Sequence, residues 1–215
     1  MDAFLTPDET ALRQRIRDYF RDGEASGGGA PPGPAGSHEA GALLKELGFP
    51  GPHGAGDEGK EAGLLAKALV VEEVSSASPR LGRELVPVLG GEARGVPGTD
   101  SEAAEIAWMI GVAAAVLEAC LKAAREQGFF ASTLMDHQKV QMALGDLLSG
   151  LESARLQSYR ALRLIDGGDT ARGGEELRRA AGLAGRAHSE AMGMASALLG
   201  PRWLSEKIPG NERSR

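Results

Sequence analysis

Residues 101–199 hold three long stretches in which apolar side chains return every three to four positions, separated only by short polar loops. This pattern admits few folds. A helix that buries one stripe must lay it against another element, and three long helices joined by short loops close most economically into an antiparallel bundle. The first, capped by Asp100 or Ser101 and running to about Gly128, presents Ile106, Ile110, Ala113, Leu117 and Leu121 on one side. The second opens at Asp136 and reaches about Leu164, with Val140, Leu144, Leu147, Leu151, Ala154 and Tyr159 facing inward, and it stops at Gly167-Gly168. The third is expected from about Gly174 to Leu199. Aromatic residues make up only 4% of the chain, so Leu, Ala and Val must supply the packing, which suits closely approaching helices.

The preceding half is also helical by pattern. Thr6-Pro7-Asp8-Glu9 combines a capping hydroxyl, a proline at the first helical position and a carboxylate at the third, and predicts a helix over 7–21. Further helices are expected at 38–47, closed by Gly48, and at 61–76, closed by Ser-Ser-Ala-Ser-Pro. Residues 23–37, rich in Gly and Pro, read as a flexible linker, and Gly173-Gly174 as a turn. The glycines and prolines between Leu85 and Thr99 allow at most one short extended piece. The expected organisation is therefore all-α: an N-terminal helical region over 1–84, a connector over 85–100, a C-terminal helical bundle over 101–200 and a tail over 201–215.

A net charge of −6 argues against a nucleic-acid or anionic-lipid surface. The N-terminal residues carry no basic, apolar leader pattern, and no apolar run reaches the ~20 residues of a membrane span, so a cytoplasmic protein is expected. The single cysteine, Cys120, excludes an intrachain disulfide and reads as a small buried hydrophobe. His38, His53, His137 and His188 are too scattered for a metal site. Glu72 and Glu73 are adjacent on a helix and so do not face each other; one is expected to be solvated and the other structural.

Several segments, in order, resemble the acyl-CoA dehydrogenase family. Leu5 to Glu9 with Arg17-Asp18-Tyr19-Phe20 resembles its first helix, Leu44 to Gly51 its Leu-Gly-Leu-x-Gly turn, and Val70 to Val74 the helix that ends its N-terminal domain. Gly111 to Phe130 is spaced like the helix leading to its Arg-x-x-Phe-Gly loop. Asp136-His137-Gln138-Lys139-Val140-Gln141 is similar to its Asp-Phe-Gln-x-Val-Gln, and Ala197 to Gly200 to the approach to its Gly-Gly-x-Gly motif. The resemblance implies a C-terminal bundle of that family's type, a flavin (FAD) cofactor and an acyl thioester substrate. It also implies assembly, either with further copies or with a complete homologue.

The departures bear on function. The family's β-rich middle domain has no counterpart beyond the 85–100 connector. Gln127 stands where the resemblance places a flavin-phosphate arginine, and a neutral amide cannot make a guanidinium's forked contact to phosphate. Phe130 and Gln138 retain flavin-contact positions, but Ala131 follows Phe130 in place of glycine. Gly200-Pro201-Arg202-Trp203 replaces the glycine motif. The family's base is a glutamate after that motif, where Ile208-Pro209-Gly210-Asn211-Glu212 lacks an aligned carboxylate. Alternatively it opens the helix near Ser101, one residue from Glu102, which is the candidate base. One residue is about 100° of helix rotation, so Glu102 is expected to point elsewhere. The chain reads first as a catalytically inactive structural or interaction subunit with no cofactor. Second, it reads as a flavin-dependent acyl-CoA oxidoreductase, or a subunit of one, completed in trans. A third reading is an acyl-CoA or hydrophobic-ligand binding module without redox chemistry.

Overall fold

A computed structural model of the chain describes residues 5–25, 36–49, 62–90, 98–129 and 132–208. Among them the architecture is all-α, as expected, with eight α-helices. α1 (Pro7–Ala25) begins as its sequence predicts. The Thr6 amide donates to Glu9 Oε2 at 2.7 Å and the Glu9 amide to Thr6 Oγ1 at 3.3 Å, a reciprocal capping box. α2 (Gly36–Glu46) ends at Gly48, whose φ of +65° lets the Phe49 amide reach back to the Leu44 carbonyl. The expected linker lies mostly outside the described residues, at 26–35, while its flanks 23–25 and 36–37 are helical. His53 and Glu61 also lie outside them.

α3 (Leu64–Ala77) and α4 (Pro79–Leu89) meet at the extended Ser78, and α4 corrects the expected connector. Leu85, Val86 and Leu89 are buried on α4, in step with Leu81, so helical periodicity runs through a segment that its glycine and proline content marked as broken. Pro87 lies in the last turn, where it forfeits one backbone hydrogen bond. Residues 91–97 lie outside the described residues.

α5 (Thr99–Glu126) is capped by Gly98 at φ +89° rather than by Asp100 or Ser101. Asp100 instead turns inward, and Lys67 Nζ of α3 donates to its Oδ2 at 3.0 Å, with both side chains under 10% exposed. A two-residue ribbon, β1 (Gly128–Phe129) with β2 (Ser132–Thr133), leads through a 3-10 turn to α6 (Gln138–Asp166). Thr133 caps that turn, and Asp136 at its third position accepts from the Thr133 amide at 2.7 Å and hydroxyl at 2.9 Å, hydrogen bonds that lower its carboxyl pKa.

α7 (Thr170–Leu198) starts earlier than expected because Asp169 caps it, accepting from the Arg172 amide at 3.3 Å. Gly173 is therefore helical, and a Cβ there would lie 2.5 Å from Ile165 of α6, so it serves a close approach rather than a turn. The expected tail is likewise corrected. Pro201–Lys207 forms α8, and Leu204 and Ile208 are buried, at 6% and 4% exposed.

The two halves share one core, which runs from Ile16 to Ile208. α3 is in contact with α1, α4, α5 and α6, and α6 and α7 pack along each other and against α5. Ser75 of α3 is completely buried where three helices converge. A Cβ at Gly82 of α4 would lie 2.7 Å from the Ser75 Cα, and one at Gly111 of α5 would lie 2.3 Å from the Glu72 carbonyl oxygen. At 28 residues α5 is long and apolar enough to cross a membrane by length and composition. Most of its apolar window is buried inside the fold, as befits a central core helix.

Candidate functional site

The positions that the sequence singles out are not gathered in one place. Ser101 is exposed and Glu102 half-buried in the first turn of α5, and the Glu102 side chain has no hydrogen-bond partner among the described residues. Gln127 caps the other end of the same helix, about 37 Å away at 1.5 Å per residue. There its amide Nε2 donates to the Leu198 carbonyl oxygen at 3.3 Å, tying the end of α5 to the end of α7. Gln138 is exposed at the first position of α6. Phe130, Ala131, Pro209 and Glu212 lie outside the described residues.

The turn into α8 shows what replaced the glycine motif. Gly200, at φ +84°, is the N-cap, and Pro201 fills the first helical position, where its missing N–H goes unneeded. Arg202 is spent on Glu206 one turn along, with Nε to Oε1 at 2.7 Å. The segment is built as a helix start.

The densest group of ionisable side chains is elsewhere, where α1, α3 and α6 meet. Glu72 and Glu73 are both buried, at 1% and 5% exposed, which corrects the expectation that one is solvated. Successive residues on α3 point to different neighbours, and here each neighbour brings its own cations. Glu72 Oε1 accepts from Arg155 Nε at 2.6 Å and Arg13 Nη2 at 3.4 Å, and its Oε2 accepts from the Tyr159 hydroxyl at 3.0 Å. Glu73 accepts from Arg13 Nε and, in a forked pair, from Arg17 Nε at 2.8 Å and Arg17 Nη2 at 3.0 Å. Arg13 Nη2 also donates to the Tyr159 oxygen at 2.9 Å, and Arg155 pairs further with Glu152.

Burial opposes the charge on Arg13 and Arg155. Their anionic neighbours outweigh it and hold both guanidinium groups above their ordinary range. Burial, and then Glu72, push the Tyr159 phenol far up, so it stays a donor. With every carboxylate oxygen of Glu72 and Glu73 occupied by a donor, neither is set up as a base. Sequence pattern alone missed this group because Arg13, Arg17, Arg155 and Tyr159 are far apart in the chain; the adjacent carboxylates were its one local signal.

A second cluster joins α4, α5 and α7. The Arg83 guanidinium lies 4.8 Å from the Trp108 ring centroid and pairs with Glu105, and Trp108 Nε1 donates to the Pro79 carbonyl at 3.1 Å. The His188 ring stands 5.3 Å from Trp108, and burial lowers its pKa. Burial also pushes the Cys120 thiol up to about 11, leaving it unreactive near neutrality. No grouping of side chains among the described residues is suited to a metal ion.

Residues 98–213 match the family model for the acyl-CoA dehydrogenase C-terminal domain. No curated protein and no solved structure matches the chain. The matched span begins at the cap of α5, takes in α6, α7 and α8, and covers more than half of the 215 residues. By that match and by its helical architecture, the chain belongs to the acyl-CoA dehydrogenase family through its C-terminal domain.

Proposed function

We propose that this chain is a non-catalytic member of its family, acting as a structural or interaction subunit of the cytoplasm. The family is generally FAD-dependent, and the chemistry of several described residues speaks against that cofactor. The observation that carries the reading is the Gln127 amide, which stands at the flavin-phosphate position implied by the resemblance yet is tied to the Leu198 carbonyl. A neutral group already engaged with the backbone offers no charge to a pyrophosphate. Pro201 removes a backbone donor from the neighbouring turn, and the half-buried Glu102 lies at the opposite end of α5.

An assembly role is supported by the outer face of α6. Met142 is 59% exposed and Leu156 36%, and between them the small residues Gly145, Ser149 and Ser153 leave a shallow strip about four turns long with an apolar side chain at each end. The resemblance implies that bundles of this type assemble through their C-terminal helices, either with identical copies or with a complete homologue.

The purified protein is expected to be colourless. Stoichiometric flavin absorbance that bleaches on adding an acyl-CoA would refute the proposal, and in that event Glu102→Gln should abolish the bleaching. A colourless protein whose melting temperature rises with acyl-CoA would instead favour a ligand-binding module.

A further inference from the structure

α1 is attached in an unusual way. Among its described side chains only Arg13 and Ile16 are buried, with Leu12 and Phe20 partly buried against the core, so Arg13 is the one guanidinium enclosed at its inner face. The half-exposed Arg17 adds its forked pair to Glu73, and further polar attachments are peripheral: Arg163 to Glu9, Arg15 to the Leu47 carbonyl at 2.9 Å, and the Tyr19 hydroxyl to Glu46 at 2.8 Å. The surface that receives Arg13 is built without α1. Glu72 and Glu73 come from α3, and Tyr159 comes from α6, and each is more than nine-tenths buried. Their oxygens receive two different edges of the guanidinium, Nε on Glu73 and Nη2 on Glu72 and Tyr159, and the guanidinium carbon lies 6.0 Å from the Tyr159 ring centroid.

We propose that Glu72, Glu73 and Tyr159 form a guanidinium-binding pocket that Arg13 fills in cis. Its occupancy docks α1, and with the Arg13 side chain removed it takes an arginine side chain or an alkylguanidinium from solution. Charge supports this assignment. Without Arg13 the pocket holds the carboxylates of Glu72, Glu73 and Glu152 against the guanidinium groups of Arg17 and Arg155, which leaves one uncompensated negative charge. Shape adds selectivity, because a planar fork reaches acceptors on both glutamates at once, whereas an ammonium presents its donors from a single point.

The test uses the full chain carrying Arg13→Ala. Removing one partner from a buried charged group should lower the melting temperature by on the order of 10 °C and raise amide exchange first in α1. Ethylguanidinium at tens of millimolar should recover more than half of that loss and restore protection in α1. Ethylammonium and sodium chloride at equal concentration should not, nor should ethylguanidinium rescue Arg13→Ala/Glu73→Gln. Equal recovery with ethylammonium, recovery that survives loss of Glu73, or no recovery at all overturns the pocket. If Arg13→Ala does not fold unaided, the same comparison is made on refolding. Return of the helical circular dichroism with ethylguanidinium alone supports the pocket, and any other pattern overturns it.

Discussion

Replacing Gly111 by alanine tests the packing on which the shared core depends. Gly111 lies on α5 where it crosses α3, and a Cβ built there would sit 2.3 Å from the Glu72 carbonyl oxygen and 2.5 Å from the Ser75 Cβ. Both are about an ångström inside ordinary contact, and the nearer one is backbone, so no side-chain rotation relieves it. Alanine should stabilise a helix interior by about 1 kcal/mol relative to glycine. Overpacking a tight core costs about 1–3 kcal/mol, and more when backbone must move. The moved backbone here is that of Glu72, whose carboxylate is held by Arg155 and Tyr159, so the displacement also strains a buried charged group. The expected net effect is a loss of about 1–3 kcal/mol, or roughly 2–12 °C in melting temperature for a chain of this size. Gly41→Ala is the control. It lies within α2 with nothing within 4 Å of the added methyl, and should raise stability by about 0.5–1 kcal/mol. Thermal and urea unfolding by circular dichroism read both variants. A Gly111→Ala protein that melts at or above the parent, with Gly41→Ala stabilised as expected, would show that α3 and α5 do not meet there.

Leu204→Ala should cost about 2–4 kcal/mol in urea unfolding, since Leu204 is buried; a neutral result would return 201–208 to the status of a tail. His188 should make stability fall as pH drops. Its folded-state pKa lies below the ordinary 6.5, so the unfolded chain binds the proton first. Its contribution is complete above about pH 7 and is lost from 6.5 downward to the folded value. His188→Phe should flatten that decline in melting temperature, and an unchanged profile would assign the decline to other groups. Met142→Glu/Leu156→Glu should leave the fold intact and reduce the molar mass by light scattering if the α6 face joins copies; an unchanged mass would place assembly elsewhere.

The three long helices were legible because their apolar stripes are periodic over many turns, and the α1 start was legible because its capping box is local. Errors came where one local signal masked another. Gly90, Pro87 and their neighbours announced a break, but Leu81, Leu85 and Leu89 kept the helical interval, and burial decided for the helix. Gly173 reads as a turn residue until Ile165, eight positions earlier, is known to pack against it. Pro201 after Gly200 reads as a break, although proline at the first helical position is a start. The departures at Gln127 and Pro201 were visible in the sequence. That the Gln127 amide is engaged with Leu198, and that two adjacent glutamates are both buried on arginines from α1 and α6, with Arg13 shared between them, depends on contacts between residues tens of positions apart.

The capping of α3 has a consequence for how the chain is made. The Leu64 and Leu65 amides, which open that helix, donate to the Asp166 carboxylate at 2.9 and 3.1 Å. Asp166 closes α6, about one hundred positions later in the chain. At ribosomal rates of about 5–20 residues per second, roughly 5–20 s pass between the appearance of α3 and that of its cap. During that interval α1, α4 and α5 can already cover the apolar sides of α3, but its first turn has no anchor, so the helix at the centre of the N-terminal half is completed only when the final third of the chain emerges.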